Sequence, residues 1–133
     1  QGYGPGFKEY FDWQYANSLV IVQIEHIDSV ENLEEILSVE GVDAYIVGPY
    51  DLSGSLGIPG EFTATRYLEA IEKIRRVSQA LGVPGGICIV EPDQAQVRHP
   101  IEEGYLFLAY GVDTRRLDVT CRVELDEVKR SIE

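Results

Sequence analysis

Residues 19–57 read LVIVQIEHIDSVENLEEILSVEGVDAYIVGPYDLSGSLG, and the reading of this stretch decides the fold. It opens on a short, branched apolar run at 19–24. A run of that length without alternation predicts a strand buried on both faces. Asp28 or Ser29 is placed to cap the helix that follows, and Glu31 adds negative charge to its first turn. Val30, Leu33, Ile36 and Leu37 recur at helical spacing and line one face. Gly41 closes that unit, and AYIV at 44–47 supplies a second strand that runs into a glycine-rich loop. Strand, helix and strand at this spacing imply a parallel pair with a right-handed crossover.

The alternation continues outward. Thr63 precedes a helix over 64–81, whose stripe is Tyr67, Leu68, Ile71, Ile74, Val77 and Leu81, with Gly82 as its stop. A third strand follows at 85–90. Pro92 and Asp93 then begin a helix made irregular by Pro100 and ended by Gly104. A fourth strand is expected at 105–110, and a last helix over 123–132 carries Val123, Val128 and Ile132. On the other side, residues 1–6 are rich in glycine and proline and read as loop. FKEYFDWQYAN then places Phe7, Tyr10, Phe11 and Tyr15 on one face of a short helix that Asn17 can close. The expected fold class is therefore α/β, with parallel (β/α) units across a single domain, 1–133. Two closed forms fit: part of a (β/α)8 barrel, or a small doubly wound sheet. A full barrel takes about 250 residues, so four strands would make one half.

Composition bounds the partners. The chain has 133 residues and a formal net charge of −12, and no basic cluster goes beyond adjacent arginines. Binding to a nucleic-acid backbone or an acidic membrane is therefore not expected. No apolar run is long enough to span a bilayer, and no signal peptide is visible. Of the two cysteines, Cys88 lies in the apolar run GGICIVEP. It reads as a buried or half-buried thiol in a reducing compartment, hence a cytoplasmic setting, although a disulfide to Cys121 stays open. The opening QGYGPGF and the absence of methionine are compatible with a clipped, processed or partial chain.

Two acids stand just past strands. Glu25 follows the first and Asp51 the second. In parallel α/β folds, chemistry gathers at the C-terminal strand ends. Adjacent strands lie about 4.8 Å apart, so both carboxylates can reach one point. Left together they repel, and a hard divalent cation such as Mg²⁺ or Mn²⁺ relieves that. Gly48 permits close backbone approach. The amides of residues 50–54, with the Ser53 and Ser55 hydroxyls, could form an anion nest, while Pro49 contributes no N–H. The plainer reading makes each acid a cap: Glu25 before a helix, Asp51 in the turn DLSGS. His26 faces away from Glu25 if the strand persists. His99, Arg66 and Arg98 read as surface or packing residues, and Asp113 as a cap. Tyr50 either lines a pocket or covers it.

The stretch VIVQIEHIDSVENLEEILSVEGVDAYIVGPYDLSGSLGIPG resembles the HpcH/HpaI aldolases, the metal-dependent class II pyruvate aldolases. Their pattern includes a VQIE strand, a VEN…I helix, a VEGVD turn and a GPxDLSxSLG loop. The likeness continues more loosely through LGVPGGI and GYLFLAYGVDT. It implies a lyase built on a (β/α)8 barrel, of which this chain would be the C-terminal half. It implies that Glu25 and Asp51 bind Mg²⁺ or Mn²⁺. It also implies that backbone amides at Gly48 and Tyr50 meet the pyruvate carboxylate, and that the metal stabilises the enolate formed on carbon–carbon cleavage. The implied reaction is reversible retro-aldol cleavage of a 4-hydroxy-2-oxo acid to pyruvate and an aldehyde. The family's acid–base histidine and its arginine lie on earlier strands that have no counterpart here, so this chain alone is expected to be inactive. Tyr50 stands where the family commonly has alanine. The resemblance further implies a homo-oligomer, or pairing with the other barrel half. The alternative is a non-catalytic half-barrel that self-associates and binds a metal or a small carboxylic acid.

Overall fold

A computed structural model describes residues 4–132. Its centre is a sheet of four parallel strands: β1 (Ile21–Ile24), β2 (Ala44–Val47), β3 (Gly85–Ile89) and β4 (Phe107–Tyr110), in the order β1-β2-β3-β4. Each strand lies beside its predecessor, so every crossover moves the same way. A doubly wound sheet would reverse that order at a switch point, whereas a barrel segment does not.

Helices cover one face. α1 (Phe7–Asn17) precedes β1. α2 (Ile27–Glu31) and α3 (Leu33–Leu37) join β1 to β2, and α4 (Pro49–Ser55) with α5 (Thr65–Leu81) joins β2 to β3. α6 (Ala95–Glu102) leads to β4, and α7 (Asp113–Ile132) ends the described chain. Ile24 and Val47 turn to the helices and are fully buried with Val30, Leu33, Leu52 and Ile74. Two adjacent glycines fit β3 between two rings. A Cβ on Gly85 would come within 2.4 Å of the Tyr45 phenol, and one on Gly86 within 2.4 Å of the Phe107 ring. Successive strand residues face opposite sides, so these rings lie on opposite faces of the sheet.

Several boundaries differ from expectation. The first strand begins at Ile21, not residue 19, because β1 is an edge. There the Val20 amide donates to the Asp43 carboxylate at 2.7 Å, and Leu19 and Val20 stay exposed. The strands expected at 85–90 and 105–110 contract to Gly85–Ile89 and Phe107–Tyr110. Tyr105 is still tied to the preceding helix, its amide donating to the Pro100 carbonyl at 3.1 Å. The expected helix with the Val30–Leu37 stripe divides at Asn32, whose side-chain amide donates to the Asp28 carbonyl at 2.8 Å. His26, rather than Asp28 or Ser29, caps α2: its Nδ1 accepts from the Asp28 amide at 3.2 Å. Thr63 is not the α5 cap, since Ala64 holds that position with no side-chain bond.

The last helix begins at Asp113, ten residues before the expected 123. Leu117 and Cys121 carry the Leu125, Val128 and Ile132 stripe back into its first half, where it stays exposed, and charge pairs brace that half, with Asp118 bridging Arg115 and Arg122. α1 forms as expected, but its aromatic face is not buried: Phe7, Phe11, Trp13 and Tyr15 are all exposed. Cys88 is half-buried, and both cysteines are free thiols. Among the described residues, no helix is long and apolar enough to cross a membrane.

Candidate active site

The strand register builds the site. Ile24, Val47 and Ile87 form one row across β1, β2 and β3. One residue further along stand Glu25, Gly48 and Cys88, on the face turned away from the helix layer. β1 ends at Ile24 because the next backbone positions turn into the His26 cap, which leaves the Glu25 side chain at the strand tip. Gln23, two residues back and on the same face, donates from Nε2 to Glu25 Oε2 at 2.6 Å.

Gly48 is what lets this pair lie over the tip of β2. A Cβ there would sit 3.2 Å from Gln23 Nε2, 3.2 Å from Glu25 Cβ and 3.3 Å from Glu25 Oε2. Such spacing is tight for a real side chain, so glycine is favoured here by contact rather than by dihedral angle.

Asp51 lies in the first turn of α4, where Pro49 suits the missing N–H of a helix start. Fully buried Leu52 anchors that turn to the core and leaves Asp51 exposed. The Asp51 carboxylate has no hydrogen-bond donor among the described residues. Burial raises the Cys88 pKa above its ordinary value, and the charges of Glu25 and then Asp51 raise it further. Both charges thus lie within electrostatic reach of the Cys88 thiol.

The remaining expected groups separate. Ser53 Oγ donates to the Tyr50 carbonyl at 2.8 Å and accepts from the Gly60 amide at 3.0 Å. Ser55 Oγ donates to the Leu52 carbonyl at 2.7 Å and accepts from the Ile27 amide at 3.0 Å. Both hydroxyls thus hold the loop and do not face an anion. The Gly48 amide donates to the Ile24 carbonyl at 3.1 Å, whereas the amides of Tyr50 and Asp51 are first-turn donors with no intrahelical acceptor. The Tyr50 ring packs edge-on against Phe62, with centroids 5.0 Å apart, so it lines a cleft rather than covering the acids. His26 is occupied as a cap. Arg66 is exposed on α5, Arg98 pairs with Glu102, and His99 lies 3.5 Å from Glu103. Asp113 opens α7 and accepts from the Thr114 amide at 2.7 Å.

Two groups were not singled out by sequence. Gln23 orients Glu25, and its signal was the two-residue strand period counted back from the acid. Glu91, past β3, accepts from Arg115 Nε at 2.9 Å. No local motif marks that contact, because its partner lies two elements away.

Among the described residues, no group of three or more His, Cys, Asp and Glu side chains is clustered to hold a metal. The chain offers two hard oxygen donors and not a closed cage. That donor set fits a hard divalent ion which keeps several positions for water and substrate.

The family model for HpcH/HpaI aldolase/citrate lyase matches residues 6–118. The 2-keto-3-deoxy-L-rhamnonate aldolase of Escherichia coli K12 is 41% identical over 95 residues, which is 71% of this chain and 35% of that enzyme. Among solved structures, an HpcH/HpaI aldolase from Desulfitobacterium hafniense DCB-2 superposes with a TM-score of 0.81 at 31% identity, covering 95% of this chain and 48% of that one. A protein of the HpcH/HpaI aldolase/citrate lyase family from Burkholderia cenocepacia J2315 gives 0.82 at 32% identity, covering 92% and 47%. The chain thus spans about half the length of these solved relatives and about a third of the curated one, and its four strands correspond to half of a TIM-type barrel.

Proposed function

Because the chain belongs to the HpcH/HpaI aldolase/citrate lyase family, we propose that it forms the metal-bearing part of an aldolase that cleaves a 4-hydroxy-2-oxo acid reversibly to pyruvate and an aldehyde. Glu25 and Asp51 would hold Mg²⁺ or Mn²⁺. The observation that supports the reading is that Glu25 follows β1 and Asp51 opens α4 just past the neighbouring parallel strand β2, with Gly48 leaving room for the Glu25 carboxylate.

Such an ion supplies Lewis-acid stabilisation of negative charge developing on the 2-oxo oxygen. The chain's own groups then have distinct tasks. Gln23 keeps one Glu25 oxygen oriented, which fixes the direction of the other. Gly48 leaves room for that carboxylate. The unpaired amides at the start of α4, Tyr50 foremost, can receive the substrate carboxylate, while the Gly48 amide would first have to leave the Ile24 carbonyl. Among the described residues no histidine or arginine pairs with Glu25 or Asp51, and His26 is engaged as the α2 cap, so proton transfer to the substrate would draw on groups from outside this chain. The free thiols suit a cytoplasmic setting.

Pairing belongs to the same proposal. β1 and β4 are both edges with unpaired backbone groups, and Leu19, Val20, Ile21 and Leu106 are exposed beside them. Long apolar edges of this kind call for another sheet. The other barrel half, or a further copy of the chain, would cover them.

Mn²⁺ binding, followed by electron paramagnetic resonance, tests the ligand assignment. Glu25→Gln and Asp51→Asn should each weaken it by about 100-fold, at or beyond the upper end of what orienting groups usually contribute. Unchanged affinity in both variants overturns the assignment. Pyruvate release from a 4-hydroxy-2-oxo acid should be absent for residues 1–133 alone, and turnover at enzyme-like rates would contradict that expectation.

A further inference from the structure

Taking the chain as half of a barrel, as the pairing proposed above does, we propose that its partner is a second copy of the same chain, and that two copies close head to tail into one ring of eight parallel strands. In such a ring β4 of each copy pairs with β1 of the other, so two identical junctions related by a twofold axis remove every sheet edge. The four strands already run the same way in the unbroken order β1-β2-β3-β4. Neither edge bears a charge that would oppose the junction: residues 19–24 read LVIVQI and residues 105–112 read YLFLAYGV.

The helices mark the same two places. Every helix that joins two paired strands buries at least one residue, from Val30 of α2 to Pro100 of α6. α1 and α7 bury none. These are the helices that flank the open edges, α1 entering β1 and α7 leaving β4. Phe11 and Trp13 of α1, and Leu117 and Leu125 of α7, are all exposed. A β4–β1 junction between copies brings one α1 and one α7 together, and so offers each apolar face a cover.

Charge selects a second copy and fixes its orientation. Residues 1–65 carry one cation, Lys8, against 11 acids, a net charge of −10, and residues 66–133 carry 10 against 12, a net charge of −2. The β1 side is therefore strongly acidic, whereas nearly all lysines and arginines lie on the side that ends in β4 and α7. At the tip of β4, the Arg116 guanidinium stacks 4.5 Å over the Tyr110 ring and pairs with no carboxylate among the described residues. By the tip of β1, Asp28 pairs among the described residues with no cation besides the His26 imidazole. Joining β1 to β1 would set two acidic sides together, whereas joining β4 to β1 sets the cation-bearing side of one copy against the acidic side of the other. All eight tips then share one mouth, so the ring gathers the Glu25 and Asp51 carboxylates of both copies there.

Sedimentation equilibrium of the metal-free chain should give twice 14.9 kDa, with no larger species as concentration rises, since the ring is closed. Ile21→Lys on the β1 edge and Leu106→Glu beside β4 each place a charge in the junction, at positions 44% and 75% exposed in the single copy. Each should weaken association by about 100-fold, because the new charge is buried without a partner, while the circular-dichroism spectrum keeps its helical shape. Mixing the two variants restores one unaltered junction and sets lysine against glutamate in the other, so native mass spectrometry should find a dimer of one copy of each. A single-copy mass for the unaltered chain overturns the proposal and leaves both edges to a different barrel half. Masses that grow beyond two copies, a Leu106→Glu chain that still dimerises, or a mixture without the mixed dimer overturn it as well. Neither metal nor substrate is present, so the result stands apart from whether Glu25 and Asp51 are ligands.

Discussion

Two ends of the same sheet treat their acids differently. At the β1–β2 end, Glu25 and Asp51 pair with no cationic side chain among the described residues, and Glu25 accepts from a neutral amide. At the β3–β4 end, Glu91 and Asp118 share Arg115, and Asp118 also takes Arg122. The hydrogen bond that Arg115 donates to Glu91, ahead of the charges around it, raises the Arg115 pKa. The second cluster satisfies itself and so needs no ligand. The first leaves both acids without a cationic partner among the described residues, so their charge is met by solvent or by a supplied cation. Support differs too: α4 rests on fully buried Leu52, whereas α7 buries none of its residues.

The contrast in support predicts the largest effect. Leu52→Ala should destabilise the fold by about 3 kcal/mol in urea unfolding, within the range for a buried leucine. The matching change in α7, Leu117→Ala at a position 67% exposed, should stay within about 0.5 kcal/mol of the unaltered chain. Similar losses at both sites would break the comparison.

The contrast in charge predicts the next. Glu91→Gln should leave Mn²⁺ affinity within about twofold, against the large losses expected at Glu25 and Asp51. Equal losses at all three would mean that bulk acidity, and not the tip pair, attracts the ion. Gln23→Leu sharpens the same point. It removes no charge but frees Glu25, and calorimetric titration should show Mn²⁺ affinity falling by about tenfold.

The smallest effect is read at Cys88 in a Cys121→Ser background. The folded chain holds the Cys88 proton more tightly than the unfolded chain, whose thiol titrates near 9.0. Stability from this group is therefore fully present below that value and declines as pH rises through it and through the raised folded value. Iodoacetamide should alkylate the thiol slowly at pH 8. Removing either acid with Glu25→Gln or Asp51→Asn should raise that rate by about two- to threefold, because thiolate forms more readily without the neighbouring negative charge. An unchanged rate in both variants would show that the acids do not converge on β3.

Much of the fold was legible because periodicity is local. The apolar runs at 21–24 and 44–47, and the Tyr67–Ile74 stripe, report their own burial through spacing alone. The beginning of α7 was missed although Leu117 and Cys121 continue the Leu125–Val128–Ile132 spacing, because charged residues dominate Thr114–Arg122 and pair with one another. The break at Asn32 was hidden for a similar reason: the Val30–Leu37 positions stay on one face although the helix is interrupted. At the site, Glu25 and Asp51 stood out as lone acids past strands, and Gly48 as the glycine between them. The serines were misleading, since Ser53 and Ser55 in sequence resemble an anion nest while in the fold they close the loop.

By itself, the sequence determined the alternation of strands and helices, the parallel sense of the sheet, the family pattern and the pair of acids at strand ends, because each of these depends on neighbours within a few residues or on one recurring motif. The packed fold alone supplied the strand order β1-β2-β3-β4, the Gln23 contact with Glu25 and the aromatic cleft beside the buried Tyr105 hydroxyl. Those features arise from register and packing between segments far apart in the chain, where charge, burial and distance are set by which strands become neighbours.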